Sequence, residues 1–497
     1  MRAITLSLGL ILLLPLGMAG QQAPNTNNIR SLSLEQCIQS ALQRNFSIQI
    51  RRADLEVARG NLFSATGYYD TALDLSASYS SIVNANTINS QGIVIVGGEN
   101  NSTPVTSGFT GTLPWGLHYD LGADFNYIRN TTPNTSRQTY NLDTGIALTQ
   151  PLLRDFWIDS GRLRIKLNRS TLKQSELQLL NEIHTVVRDV MLDYYELVFA
   201  VENVGVKQKA LELAQRLAAD NRKKVEVGTL APLDEKEAEA QAATARAELI
   251  AAMQAAGTQQ RVLINLLTDN YEEWQNMRLV PSETLVAIPQ TYNLQASWVE
   301  ALTRRPDFNR LKEQLEQKGI EVSFAKNQLY PRFDLFGTYG RRGIEPSFSD
   351  ALADVRDENL PRYSGGIIFS LPLENRAARG NLKARKAERE GLQTQLQQLH
   401  QDILVNVQIA VGAAQAEFER AGAAREAAAA AEAAYDAEIK KLENGKSTSF
   451  QVLDFQKRLT DARSLHLRAL ADYNRALTEL YYREGTILDR SKIDVKR

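Results

Sequence analysis

The chain has 497 residues, with 57 Lys and Arg against 58 Asp and Glu, four histidines and one cysteine. A near-zero net charge argues against a general electrostatic grip on nucleic acid, and a single cysteine excludes an intramolecular disulfide framework. The histidines (His118, His184, His400 and His466) are scattered, with no HExxH and no metal-ligand spacing, so no metal, cofactor or catalytic constellation is expected.

Arg2, the apolar run from Ile4 to Leu16 and the small-residue site Gly17-Met18-Ala19 read as an export signal over residues 1–19. The run is too short to span ~30 Å of hydrocarbon. Residues 20–31 are polar and read as a mobile leader. A helix is expected after Ser31 or Ser33, with Leu34, Cys37, Ile38, Ala41 and Leu42 on one face and Cys37 as a small buried hydrophobe.

Strands are expected over about 72–150. Leu117, Tyr119, Leu121, Ala123, Phe125 and Tyr127 alternate with His118, Asp120, Asp124 and Asn126, and Leu73, Leu75, Ala77 and Tyr79 repeat the pattern. Period two of this kind suits a barrel with lipid outside and water inside, although an antiparallel sheet with one wet face gives the same alternation. The Pro114-Trp115-Gly116 turn marks an additional hairpin. A long helix follows from about Gly161 to Val227, its seam carried by Leu180, Ile183, Val187, Val190, Tyr194, Leu197, Val201 and Val204. A returning helix runs from Leu233 to Leu267.

The second half repeats this order. Asp74 answers Asp334, GIALTQPLL ending near Pro151 answers GIIFSLPLE near Pro372, and Gly228 answers Gly445. The offset falls from 260 at the aspartates to 217 at the glycines, so the first half carries ~40 extra residues between its strands. The reading is a duplicated helix–strand–helix–helix unit, mainly α with a membrane β part. The first repeat covers 32–292, with long helices over about 161–268. The second covers 293–487, with strands over about 332–372 and long helices over about 379–484, followed by a tail at 488–497. No later segment resembles a transmembrane helix, so a membrane location would have to be reached through strands.

Gly228 and Gly445 fit the left-handed turn that reverses a helix. The pairs Tyr194-Tyr195 and Tyr481-Tyr482 read as packing between helices, and His466 falls on a heptad position as a packing histidine. The strand-closing TQPLL and SLPLE segments, the tip Val227-Gly228-Thr229 followed by Asp234, Gly445 followed by Val452-Leu453-Asp454, and the ending from Ala471 to Leu480 occur in order. On these residues nearly the whole mature chain resembles the TolC-type outer-membrane efflux proteins, the outer-membrane factors.

The resemblance implies a homotrimer in the outer membrane lipid whose protomers share one 12-stranded barrel and an α-helical tunnel crossing the periplasm. It also implies a periplasmic adaptor and an inner-membrane pump as partners, and no enzymatic activity. Pro151 and Pro372 then mark strand-to-helix junctions, while Val227, Gly228, Thr229 and Gly445 form adaptor-docking tips. Asp454 matches one position of a cation-binding gate ring, whereas Gln451 stands at the neighbouring acidic position. A carboxylate in a helix's first turn is the equal alternative for Asp454 and the preferred reading for Asp234. The additional hairpin is expected outside the barrel, which keeps 12 strands, because strand number fixes diameter and the tunnel must match it. The functional expectation is a passive exit duct for tripartite efflux or type I secretion. The alternative is a periplasmic coiled-coil structural or adaptor protein without a barrel. Cargo is not legible, because a wide water-filled tunnel selects weakly.

Overall fold

The computed structural model describes residues 29–357 and 360–491, so the export signal at 1–19 lies outside the described residues. Ser33 caps the first helix: its hydroxyl accepts the Gln36 N–H at 3.3 Å, and the Gln36 side chain accepts the Ser33 N–H at 3.1 Å. That reciprocal cap fixes the start of α1 (Leu34–Arg44), and Asn45 then caps α2 (Phe46–Thr66). Just before the cap, Ile29–Leu32 forms strand β1. The end of the expected polar leader is therefore ordered, because its backbone pairs in parallel with a strand of the linker between the repeats.

The strands of the first repeat are β2 (Ala72–Ala77), β3 (Ser80–Val83), a small hairpin of β4 (Thr87–Ile88) and β5 (Val94–Ile95), then β6 (Glu99–Thr112), β7 (His118–Thr132) and β8 (Thr135–Pro151). Helix α3 (Ser160–Glu226) has 67 residues, about 100 Å at 1.5 Å per residue. It reverses into α4 (Pro232–Leu267), and α5 (Tyr271–Trp274) and β9 (Arg278–Pro281), the partner of β1, link the repeats. The second repeat is α6 (Leu294–Arg304), α7 (Pro306–Asn327), β10 (Arg332–Glu345), α8 (Phe348–Arg356), β11 (Pro361–Ser370), α9 (Arg376–Glu443) and α10 (Ser449–Glu484). Among the described residues, α11 (Ile487–Arg490) alone follows, at the start of the expected tail.

Near the strands, α2 packs on α3, α3 on α7 and α7 on α9; farther away, α4 packs on α3, α3 on α10 and α10 on α9. Each level is thus a rank of four helices. Small residues at the seams, such as the fully buried Ala214, Ala238, Ala414 and Ala469, let these helices approach closely. Two apolar cores echo the duplication. One joins Cys37, Ile38, Ile48, Val187, Val190, Tyr194 and Leu267; the other joins Ala301, Phe308, Ile403, Val407, Tyr473 and Leu480. Tyr194 and Tyr473 are the largest fully buried side chains of the two, and each hydroxyl donates to a backbone carbonyl, of Leu32 at 3.2 Å and of Ile288 at 2.5 Å.

The large sheet runs β11-β10-β8-β7-β6-β2, with β3 continuing β2 along β6. The additional hairpin is β6–β7, and it lies inside the sheet, bonded to β2 on one side and β8 on the other. The expectation that it sits outside is therefore corrected. Its 14 and 15 residues carry the same inward–outward alternation as their neighbours, and every position except Thr103, Pro104, Gly111, Thr112 and Thr132 has a ladder partner on both sides. Leaving it outside would strand two long ladders of unpaired backbone groups.

Candidate functional site

Two regions carry chemistry: the helix ends farthest from the sheet, and the sheet itself with its junctions. At the first helix end, the Gly228 N–H donates to the Val225 carbonyl at 2.9 Å and the Thr229 N–H to the Lys224 carbonyl at 2.8 Å. At the second, Gly445 N–H donates to Leu442 at 3.0 Å and Lys446 N–H to Lys441 at 2.9 Å. Gly228 has φ +74° and Gly445 φ +71°, the left-handed conformation in which a Cβ is strained. The two tips are therefore the same turn built twice. Val227 is 73% exposed at the first. At the second, buried Glu438 accepts from Ser447 at 2.5 Å and from Lys441 at 2.9 Å, and these two donors hold its carboxyl below the usual range.

Asn221 ties the tips together. It is fully buried, donates to the Asp234 carbonyl at 3.2 Å and accepts the Ser449 hydroxyl at 3.1 Å. Farther up the same α3–α10 seam, Gln456 donates to the Ala210 carbonyl at 2.9 Å and Ser464 to Asn203 at 2.9 Å. Glu196 accepts from Arg468 at 2.8 Å and from Arg475 at 2.6 Å. These polar links between the two repeats were missed in the sequence. The available signal was the polar residues Asn203, Gln456 and Ser464 set among the apolar seam positions of long helices.

Asp234 lies in the first turn of α4, where a carboxylate complements the helix dipole. Asp454 lies beyond the first turn of α10, so that role does not apply to it. Its carboxylate pairs with Arg458 at 2.8 Å while remaining 42% exposed. It lines an open groove between α4 and α10 together with Glu237, Gln241, Phe450 and Lys457. The Gln451 side chain instead lies 2.9 Å from the Ser447 hydroxyl, within hydrogen-bond distance.

The sheet has two unlike faces. Leu73, Phe109, Leu121, Ile146, Tyr339 and Tyr363 are directly opposite one another in turn, one from each of six adjacent strands. This apolar row is largely exposed, as are Leu75, Leu335, Ile367 and Phe369 on the same face. Helix α8 covers part of that face, its Phe348 ring 5.6 Å from that of Phe125. The other face carries Asp74, Asp120, Asp124, Asn126, Asp143, Thr338, Arg342 and Arg362. Asp143 accepts from Arg342 at 3.0 Å and from Arg362 at 3.4 Å, which relieves its position directly opposite Asp124.

At the junctions, Pro151 ends β8 still in the ladder, opposite Asp334, while Pro372 lies two residues past β11. After Pro151 the chain turns through Asp155, whose N–H donates to Asn327 at 2.9 Å and whose carboxylate accepts Gln328 at 2.6 Å. Gly116, in the turn between β6 and β7 with φ +92°, abuts Arg162: a Cβ there would lie 2.9 Å from the guanidinium. Arg162 itself is held by Asp159 at 2.8 Å and by the Asp155 carbonyl at 3.1 Å. The turn of the additional hairpin thus lies close against the first turn of α3.

The four histidines are far apart in role. His184 is buried, which pushes its pKa down to about 4; His118 bonds Thr112 at 2.7 Å; the His400 ring lies 6.3 Å from Phe308; His466 is half-buried on α10. Among the described residues, no group of three or more His, Cys, Asp or Glu side chains could hold a metal ion, and no helix is long and apolar enough to cross a membrane.

Comparison with known proteins gives a consistent picture. The family described as outer membrane efflux protein matches residues 114–268 and 298–485, one stretch in each repeat. The cobalt-zinc-cadmium resistance protein CzcC of Cupriavidus metallidurans is 25% identical over 324 residues, 64% of this chain and 72% of that protein. The outer membrane protein TolC of Vibrio cholerae is 22% identical over 411 residues, 79% of this chain and 86% of that protein. Among solved structures, the outer membrane protein VceC of Vibrio cholerae superposes with a TM-score of 0.65 at 18% identity, covering 91% of this chain and 96% of that one.

Proposed function

Since the chain belongs to the outer membrane efflux protein family, we propose that three copies assemble into the exit duct of a tripartite efflux or type I secretion machine, fed by an inner-membrane pump through a periplasmic adaptor. The carrying observation is the sheet. One face is an exposed apolar row and the other a polar, charged surface, and the sheet continues directly into helices about 100 Å long. Such a sheet belongs in lipid on one side and water on the other. A periplasmic coiled-coil protein without a barrel would have no use for it.

In this reading the duct works without covalent chemistry. Cargo passes when the helix pairs at the tips separate, and the exposed turns at Val227, Gly228, Thr229 and Gly445 are the surface on which the adaptor docks. Asp454 contributes to a cation-binding constriction, since three copies around a threefold axis concentrate negative potential in a narrow mouth. Cross-linking of detergent-solubilised outer membranes should give a three-chain band. A protein that fractionates with the periplasm as a detergent-independent monomer would overturn the proposal.

A further inference from the structure

We propose that the assembled channel closes an 18-stranded barrel, six strands from each protomer, with the neighbouring copy's β2–β3 edge pairing against β11. The inference rests on the trimeric duct proposed above and adds what the duct's wall is made of. Its first support is that β6–β7 is wall in every respect the protomer can show. The apolar row from Leu73 to Tyr363 crosses all six strands without a gap, and Phe109 and Leu121 of the hairpin stand in its middle.

The second support lies on the opposite face. Asp74, Gly108, Gly122, Gly145, Gly340 and Arg362 also stand opposite one another in turn, so four consecutive strands place a glycine at one level. A Cβ would lie 2.9 Å from the Tyr339 carbonyl oxygen at Gly145 and 2.5 Å from the Thr144 carbonyl oxygen at Gly340. Glycines in register are a device for bending a sheet toward the face that lacks side chains. The hairpin supplies two of the four, Gly108 and Gly122, so it shares the curvature of the strands on either side of it.

The third support is the edges. Six strands of alternating direction leave β2 and β11 antiparallel to each other, so a rotated copy can continue the ladder without changing its pattern. The edges match in length: β11 has 10 residues, and β2 and β3 run along β6 from Ala72 to Val83. Each carries unpaired backbone and exposed apolar side chains, with Leu75 70% and Tyr363 80% exposed. In lipid such edges must be paired.

The fourth support is width. A strand spaced about 4.8 Å from its neighbour and tilted about 40° takes up about 6.3 Å of circumference, so six strands cover about 38 Å and four cover about 25 Å. The rank of four helices beneath them, at about 9.5 Å between axes, also covers about 38 Å. A wall of six strands per chain therefore fits over the rank of four helices. The closed barrel would be about 36 Å across, wide enough for an aqueous channel.

Paired cysteines in the membrane-embedded trimer test the inference. Leu121→Cys with Ile146→Cys joins β7 to β8, and oxidation should form an intrachain disulfide that shifts the denatured band. Leu73→Cys with Ile146→Cys joins β2 to β8, neighbours only if the hairpin leaves the wall, and should form none. Electron cryomicroscopy of the trimer in nanodiscs should show 18 strands. The reverse cross-linking pattern, or a 12-stranded trimer, would overturn the inference and leave the duct standing. Absence of the trimer in the same preparations would instead overturn the duct on which it rests.

Discussion

Ser449 and Asn221 meet across the two repeats: the serine hydroxyl at the start of α10 donates to the amide oxygen of a fully buried asparagine near the end of α3. The same asparagine donates to the Asp234 carbonyl at 3.2 Å, so a single side chain joins α3, α4 and α10 within a turn or two of the tips. Any separation of the helix pairs must break this junction.

Replacing Ser449 with Ala leaves the Asn221 oxygen buried without a donor, at a cost of about 1–3 kcal/mol. The expected outcome is a higher single-channel conductance in planar bilayers and a lower midpoint of thermal unfolding. Asn221→Ala should do the same more strongly, since it removes both bonds. Unchanged conductance in both variants would show that the junction packs the helices without holding the entrance shut.

Asp454 and Arg458 form an exposed pair, so the net field at the proposed constriction depends on both. Asp454→Ala should weaken block by multivalent cations, and Arg458→Ala should strengthen it. Asp234→Ala should leave block unchanged, because that carboxylate serves the first turn of α4. Block that is indifferent to both Asp454 and Arg458 would place the constriction elsewhere.

A Cβ at Gly228 or Gly445 meets nothing within 4 Å, so substitution there acts through backbone strain alone. Gly228→Ala and Gly445→Ala should each cost about 1–2 kcal/mol locally and distort the turn. The trimer should persist on gels while adaptor capture in detergent pull-downs falls. Capture at the unsubstituted level would remove the tips from the docking surface.

Burial holds His184 at a pKa of about 4, against 6.5 for a free imidazole, with Asp307 opposing and Arg305 reinforcing. A depressed histidine pKa means that the unfolded chain binds the extra proton first. Stability is then intact above about pH 6.5 and falls as the pH drops toward 4, by about 1.4 kcal/mol per unit. Thermal unfolding at pH 7.5 and 4.5 should show a smaller acid destabilisation in His184→Gln than in the parent. Equal losses would assign the acid sensitivity to other groups.

Cys37 is fully buried, and desolvation lifts its thiol to about 12. It should resist maleimide in the native trimer and react fully after denaturation. Labelling of the native protein within minutes would show that α1 opens readily.

Periodicity made the helical frame legible. The seam through Val187, Val190 and Tyr194 placed α3 to within a residue or two, and the duplication located both tip glycines. The strands were legible too, because Leu117 to Tyr127 alternates without a fault. The partners of those strands were not: alternation says which way a side chain faces but not which strand lies beside it. That is why β6–β7 was misplaced. Asn221, Ser449 and Glu196 were hidden for a different reason, since a polar residue on a long helix looks like surface until the opposing helix is known. The ordered stretch Ile29–Leu32 escaped because its partner β9 is about 250 residues away and pairs with it through backbone bonds.

The two open edges of the protomer's sheet bear on the order of events in biogenesis. A chain that enters hydrocarbon alone carries the bare hydrogen-bonding groups of β2, β3 and β11 with it, and no rearrangement within one copy can satisfy them. In the proposed trimer, association and insertion should consequently be one step rather than two. The rate at which channels appear should then climb far more steeply than linearly with the supply of exported chains, and a surplus of any two copies without a third remains stalled on the periplasmic side.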